Sequence, residues 1–542
     1  MEISPIQRFW NILTPYRLEL RQIYSYAVFI GIVNLSLPLG IQAIINYIQT
    51  GEMTSSWMVL VGFVLAGIAI TGMLQVLQLR IVENMQQDIF ARSAFEFAYR
   101  IPKFDMLHLD KVHTPELVNR FFDTLTIQKG LPKILIDFSL ASFQIVFGLI
   151  LLAIYSPYFI ILGVALIVIL WLIFSITGPK GLETSIKESK YKYNLVHWLE
   201  ELARVNRSFK INPDGDLHLK KTDDIAAGYL VSREKHFQVI IKQFQLFIAF
   251  KVFVAAGLLM LGGVLVFQQQ MNIGQFVAAE IIIILIINSV EKVLRVMETI
   301  YDVLTALEKI GYVTDLPLDE NIGTAELEGA GSIAVKALEL EFGFPEDARK
   351  IISELSFSIP PGGRALISGS SGSGKTVLLQ IISGILSQDD GELYLNNIPF
   401  RNYKQEDLRQ RIGVSFATNQ IFSGTLKENI TMGREIPQKE ISAILELLGL
   451  SNFVAHLPKG TQTKLDSGGR RLARSIIQKI HLARILVGKP GLLLLEDPLQ
   501  FVEPDEKRRI IDYLMDPSRP WTVLIVADFG YWEEKSTQVI TL

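Results

Sequence analysis

The sequence predicts an α-helical six-span transmembrane domain followed by an α/β P-loop nucleotide-binding domain. Three observations predict it. The first ~290 residues hold six apolar runs, each long enough to cross a bilayer. The links between those runs alternate between short ones without Lys or Arg and long ones rich in both. Further along, Gly369-Ser370-Ser371-Gly372-Ser373-Gly374-Lys375-Thr376 carries the G-x-x-x-x-G-K-[ST] spacing of a phosphate-binding loop, between a strand-like run and a helical one.

Length and composition agree. A chain of 542 residues is too long for one core, and the expected division is a membrane domain over 1–310, a polar linker over 311–331 and an α/β domain over 332–542. Hydrophobic residues make up 49% and the mean hydropathy is +0.33, high for a protein without a membrane region. There is no cysteine, which excludes disulfides, thiolate metal sites and a cysteine nucleophile. A net charge of -3 favours no charged partner, and no nucleic acid is expected. Arg8, Phe9, Trp10, Arg17 and Arg21 mix bases with aromatics near the N-terminus, which suits an interfacial helix.

The apolar runs lie at roughly 23–47, 56–79, 134–155, 157–177, 244–267 and 273–290. Only Ser156-Pro157 separates the third from the fourth, so these form a tight hairpin. The short links 48–56, 155–157 and 268–273 contain no base. Those at roughly 80–133 and 178–243 hold Arg80, Arg92, Arg100, Lys103, Lys187, Lys190, Arg204 and Lys220. Both termini are therefore expected in the cytoplasm with the long links. Helical spacing continues through Phe90, Phe95 and Phe97 up to Pro102, and again from Glu183 to Phe209, so the long links read as stalks with short turns at their tips. One tip is expected at His113-Thr114-Pro115-Glu116, with Thr114 as N-cap, and another between Val205 and Pro213. Inside the spans stand Lys251 and Glu280, with Asn34 and Gln42 flanking Pro38. Either these line a pathway, or Lys251 snorkels and Glu280 bonds a neighbouring helix.

In the loop 369–376 the glycines allow close backbone approach, the amides point inward and the following helix presents its positive end. Lys375 is placed to reach outer phosphates and the Thr376 hydroxyl to hold a magnesium ion. From Ser332 to Leu542 short strand and helix patterns alternate around it.

Six spans with long cytoplasmic stalks, followed by this α/β domain, resemble a half-transporter of the ATP-binding cassette exporter family over nearly the whole chain. The resemblance implies ATP and Mg2+ as ligands, with Thr376 and Glu496 on the metal. It puts Phe344, in Phe342-Gly343-Phe344-Pro345, at the place of the aromatic that stacks on adenine. Where the family has a glutamine before L-F-S-G-T, this chain has Ala417, with Gln420 close by. The L-S-G-G-Q signature, counted back from Leu482-Ala483-Arg484, falls on Leu472-Ala473-Arg474-Ser475-Ile476; Ser467-Gly468-Gly469 lies six residues too early. Arg474 there either touches a phosphate as a fork donor or obstructs closure.

The family's apolar strand ending in D-E is Leu492-Leu493-Leu494-Leu495-Glu496-Asp497, with its two carboxylates exchanged. Glu496 would serve the metal and Asp497 the general base, from an arm shorter by one methylene. The histidine of V-I-A-H is Asp528, and the aspartate of S-A-L-D is Glu503. ATP binding is thus implied, with Asp497 and Asp528 as the catalytic candidates, and consensus hydrolysis is not.

The segments Leu37-Pro38-Leu39-Gly40 and Asn272-Ile273-Gly274-Gln275-Phe276-Val277-Ala278 resemble the peptide and protein secretion branch. The function expected is an ATP-driven exporter of a peptide, protein or other amphipathic cargo in a bacterial inner membrane. It would work as a dimer, a homodimer in preference to a heterodimer, with a periplasmic membrane-fusion adaptor as a further partner. The competing expectation is a nucleotide-sensing membrane module that binds ATP without useful hydrolysis and regulates a partner.

Overall fold

The structure, a computed structural model, describes residues 3–50, 56–109, 114–212, 214–319, 323–327, 331–345, 349–417, 420–528 and 530–542. The chain forms two compact units. One holds Met1–Lys103 with Val112–Leu316, and the other holds Phe104–Lys111 with Pro317–Leu542.

Among its described residues the first unit is helical and holds six helical segments long and apolar enough to span a membrane. Four are single long helices: Ser56–Arg100, Pro157–Arg204, Leu217–Phe267 and Ile273–Thr314. The second of these has 48 residues, about 72 Å at 1.5 Å per residue. That is more than twice a hydrocarbon core of about 30 Å, so the stalks are continuations of the spans. Ser156 is extended and Pro157 opens the next helix, which makes the tight hairpin. A short helix, Asn206–Ile211, forms the second tip; Pro213 lies outside the described residues. At the first tip His113 and the Thr114 side chain also lie outside them, and a helix begins at Thr114.

Two spans depart from simple runs, each because of a proline. The first is broken into Arg17–Asn34 and Ser36–Thr50. Pro38 has no N–H for the Asn34 carbonyl and its ring crowds that carbonyl; the break falls there, with the Leu35 amide on the Ile32 carbonyl in a tighter turn. In the third, Pro132 is followed by a π-turn over Lys133–Phe138 before Ser139–Tyr155. The Gln128 carbonyl four residues before Pro132 takes the Gln86 Nε2 at 2.6 Å, and Gln128 Nε2 returns a bond to the Gln86 carbonyl.

The N-terminal helix Pro5–Leu13 starts in a capping box of Ser4 and Gln7. It does not lie free for a membrane surface as its composition suggests. Leu13 is buried in the stalk core, and Arg8 Nη1 bonds Asp315 at 3.0 Å with Glu308 3.8 Å from Nε. Asp315 stands about 25 residues, or about 37 Å of helix, beyond the end of the sixth apolar run. The helix is tied to the last stalk.

The second unit contains the α/β domain. Its strands are β1 Val335–Phe342, β2 Ile352–Ile359, β3 Arg364–Ser368, β4 Asp390–Leu395, β5 Ile398–Pro399, β6 Ile412–Ser415, β7 Gly424–Thr425, β8 Lys464–Leu465, β9 Leu492–Glu496, β10 Thr522–Val526 and β11 Gln538–Thr541. Five form a parallel sheet in the order β11-β3-β10-β9-β6. Leu492 to Leu495 are all fully buried, as expected for a strand covered on both faces. An antiparallel sheet, β2-β1-β4-β5, was not anticipated.

Within the stretch 311–331 the helix runs on to Thr314, and Ala325 pairs with Asn402 and Lys404 through backbone bonds of 2.8 and 2.9 Å. A short helix, Met106–Leu109, also belongs to this unit, with Leu107 packed against its core.

Candidate nucleotide site

The candidate residues meet because they leave the carboxyl ends of neighbouring parallel strands, where open α/β sheets bind ligands. β3 leads into the loop, β9 ends at Glu496, β10 leads to Asp528, and β6 leads to Ala417. More than a hundred residues separate the loop from Glu496 in sequence; one strand order joins them.

The loop has the backbone its glycines allow. Gly372 and Gly374 have φ of +80° and +94°, and a Cβ on Gly374 would lie 2.7 Å from Ile351. Gly374 then caps the helix Lys375–Ile382. The Lys375 ammonium spans the loop, donating to the Gly369 and Ser370 carbonyls at 2.7 and 2.8 Å. The Ser373 hydroxyl is buried without a partner among the described residues, an unmet polar group inside the loop. Thr376 Oγ1 donates to one Glu496 oxygen, and the Ala417 backbone N–H donates to the other at 3.1 Å. Hydroxyl and carboxylate thus stand together, the sparse protein donor set that suits magnesium completed by phosphate oxygens and water. These residues fit a nucleotide phosphate and its metal.

Asp497 follows Glu496 in left-handed backbone, φ +40°, a conformation Asp tolerates better than most residues. Its N–H bonds the Val526 carbonyl at 2.8 Å. Burial pushes its carboxyl above the usual carboxylate range, and the nearby Asp528 charge adds to this, while the Asp528 backbone N–H bonds it and works the other way. Asp528 itself is exposed. The structure therefore brings Asp497 and Asp528 together, beside Glu496.

Phe344 is half-buried against the domain core, its ring edge-on to Phe342 at 5.3 Å. The Phe342 carbonyl takes the N–H of Ile351, the residue that faces Gly374. Residues 346–348 lie outside the described residues.

Ser467–Gly469 form a single tight turn, with Gly468 N–H on the Ile421 carbonyl. The next helix, Arg474–Leu486, opens at Arg474 without a side-chain cap, and Arg471 pairs with Asp466 at 3.1 Å. Gln420 has an exposed side chain, and its carbonyl meets His481 Nε2 at 2.8 Å. Glu503 precedes the helix Pro504–Met515 without a side-chain cap bond. In the spans, Gln42 accepts from Tyr155 at 2.5 Å. Lys251 and Glu280 are exposed, and among the described residues neither makes a side-chain bond, so of the two readings of Glu280 the bond to a neighbouring helix is not seen among them.

Two residues near the site were not anticipated. His481 is held neutral, its pKa lowered to about 4 by burial and by Arg484. Gln478 is buried on the same helix. Its signal was a polar residue on the apolar stripe it shares with Leu482 and Ile485.

The ABC transporter family model matches residues 352–500, and the ABC transporter transmembrane region matches residues 24–202. Among curated proteins, the chain is 26% identical over 260 residues to an ATP-dependent lipid A-core flippase of Francisella tularensis, covering 47% of this chain and 42% of that one. It is 31% identical over 216 residues to CydD, the glutathione/L-cysteine transport system ATP-binding/permease protein of Escherichia coli, covering 39% and 36%. These matches span less than half the length of either relative. Among solved structures, a bacterial Atm1-family ABC exporter with ATP bound superposes with a TM-score of 0.84, covering 97% of this chain and 93% of that one at 17% identity. At that identity the likeness is one of fold.

Proposed function

Because the chain belongs to the ABC transporter family, as a half-transporter in which one membrane region precedes one nucleotide-binding domain, we propose that it is half of an ATP-driven exporter. It works as a dimer in a bacterial inner membrane, with both termini cytoplasmic. The observation that carries this reading is the joining of Thr376, Glu496 and the Lys375 loop in one place.

Bound ATP with magnesium supplies the phosphoanhydride bond and the screening of its charge. The chain supplies the rest. The amides of Gly369 to Thr376 and the Lys375 ammonium hold the phosphates, with Ser370, Ser371 and Ser373 as further donors. Thr376 and Glu496 hold the metal, and the Phe344 ring carries the base. Asp497 takes the proton of the attacking water, oriented by the Asp528 N–H.

A carboxylate one methylene shorter than glutamate stands back by roughly 1.5 Å of bond geometry. Misplacement of that order costs about 100-fold in rate, so turnover is slow. For cargo we favour an amphipathic molecule, peptide, protein or lipid-like. The names of the relatives support small or lipidic cargo at least as well as peptides.

The test is phosphate release by the purified protein in lipid, with and without Lys375→Ala. Measurable turnover abolished by that change is expected, and Asp497→Asn should retain ATP without releasing phosphate. Tight ATP binding with turnover equal to that of Lys375→Ala would sink the exporter and leave the nucleotide-sensing module.

A further inference from the structure

The turn that carries the proposed base is held by one buried side chain outside the roles assigned above. Gln478 lies one turn after Arg474 on the helix Arg474–Leu486 and is 5% exposed. Its carboxamide is used at both ends. Nε2 donates to the Asp497 carbonyl at 3.1 Å, and Oε1 accepts from the Phe501 N–H at 3.0 Å. Those groups belong to the first and last residues of the turn that leaves β9. Burying an amide on an apolar helix face is tolerable when both its ends are bonded, as they are here. The helix touches the turn a second time, because the Arg474 guanidinium lies 5.0 Å from the centroid of the Phe501 ring.

Asp497 needs that support. Its left-handed backbone is a conformation that persists where the surroundings over-determine it. The Val526 carbonyl fixes its N–H, and its carbonyl takes the Gln478 Nε2 at 3.1 Å beside the longer bond from the Gln500 N–H at 3.3 Å within the turn. Without Gln478 only the long bond from the Gln500 N–H, which belongs to the same turn, holds that carbonyl, so the turn loses its tie to the helix and the aim of the carboxylate loosens with it.

We propose that Gln478 is a positioning residue that fixes the turn from Asp497 to Phe501, and so the aim of the Asp497 carboxylate, against the opening turn of the helix Arg474–Leu486. The inference rests on the ATPase reading above. In a dimer whose sites combine the loop of one chain with this helix end of the other, Gln478 gives each chain a one-turn link. It joins the helix end that meets the partner's nucleotide to the base acting on the chain's own.

Two variants of the full chain in lipid test it. Gln478→Met keeps the volume and removes both bonds. Gln478→Glu keeps an acceptor for Phe501 and sets a second acceptor against the Asp497 carbonyl. The readouts are kcat for phosphate release and, separately, the Kd for a fluorescent ATP analogue. Expected is a fall in kcat of about 10- to 100-fold in both variants, with Kd close to wild type, whereas Lys375→Ala loses binding. An unchanged kcat in Gln478→Met, or a loss of binding parallel to the loss of kcat, overturns the inference. So does a wild-type kcat in Gln478→Glu, which would leave the Phe501 bond as sufficient. Wild-type release no greater than that of Lys375→Ala overturns the ATPase reading, and this inference with it.

Discussion

Asp497, as the proposed base, acts only when ionised, and its surroundings oppose ionisation. Burial and the Asp528 charge hold its carboxyl above the usual range, so the protonated, idle form persists to higher pH than for a free aspartate near 3.9. Phosphate release should therefore rise with pH along a limb displaced upward from that value. Asp528→Asn removes the like charge and keeps the backbone N–H that favours the carboxylate, so the limb should move to lower pH. A pH–rate profile at saturating ATP checks this, and a limb that stays put or moves up rejects the coupling. At this scale much was legible. A phosphate loop is read from spacing because backbone conformation demands glycine at set positions, and Lys375 and Thr376 follow by count. Gln478 was legible only as a polar residue on an apolar helix stripe; its two partners are backbone groups more than fifteen residues away, and these leave no mark in a sequence.

Among the elements, the N-terminal helix shows how a contact overrides composition. A Cβ on Gly311 would sit 2.4 Å from Arg8 Cζ, so the arginine crosses the last stalk where only glycine leaves room. Replacing Gly311 by Ala gains about 0.5–1 kcal/mol of helix preference and loses up to about 1 kcal/mol of a part-exposed ion pair. In the wild type these oppose each other. In an Arg8→Ala background only the gain remains. Gly311→Ala should thus raise the melting temperature in detergent in the Arg8→Ala background and not in the wild type, and equal shifts in both would exclude the contact. The spans themselves were readable from hydropathy, and the break after Asn34 follows from Pro38. The π-turn was not, because Pro132 could as well have kinked the helix, and the bond from Gln86, on a different helix, belongs to the outcome chosen.

For the whole molecule, the likeness to ABC exporters implies a nucleotide site shared between the two chains of the proposed dimer. If the loop of one chain works with the helix end at Arg474 of the other, Lys375→Ala and Arg474→Glu each spoil both sites of their own homodimer. A mixed dimer keeps one whole site. Random assembly of equal amounts should then restore about one quarter of wild-type phosphate release, by the symmetry of a two-fold dimer. A mixture no more active than the better parent rejects the shared site.

The sequence by itself determined the six apolar spans, the stalks that run past them and the loop that fits a phosphate. Each is a local property: hydropathy over one run, helical spacing over one stretch, glycine spacing over eight residues. Only the tertiary structure decided what surrounds the loop. The order β11-β3-β10-β9-β6 sets Glu496, Asp497, Asp528 and Ala417 at neighbouring strand ends. It also hands the Glu496 oxygens to Thr376 and to the backbone of Ala417. Strand order is fixed by how buried faces pack, over separations that no local pattern records.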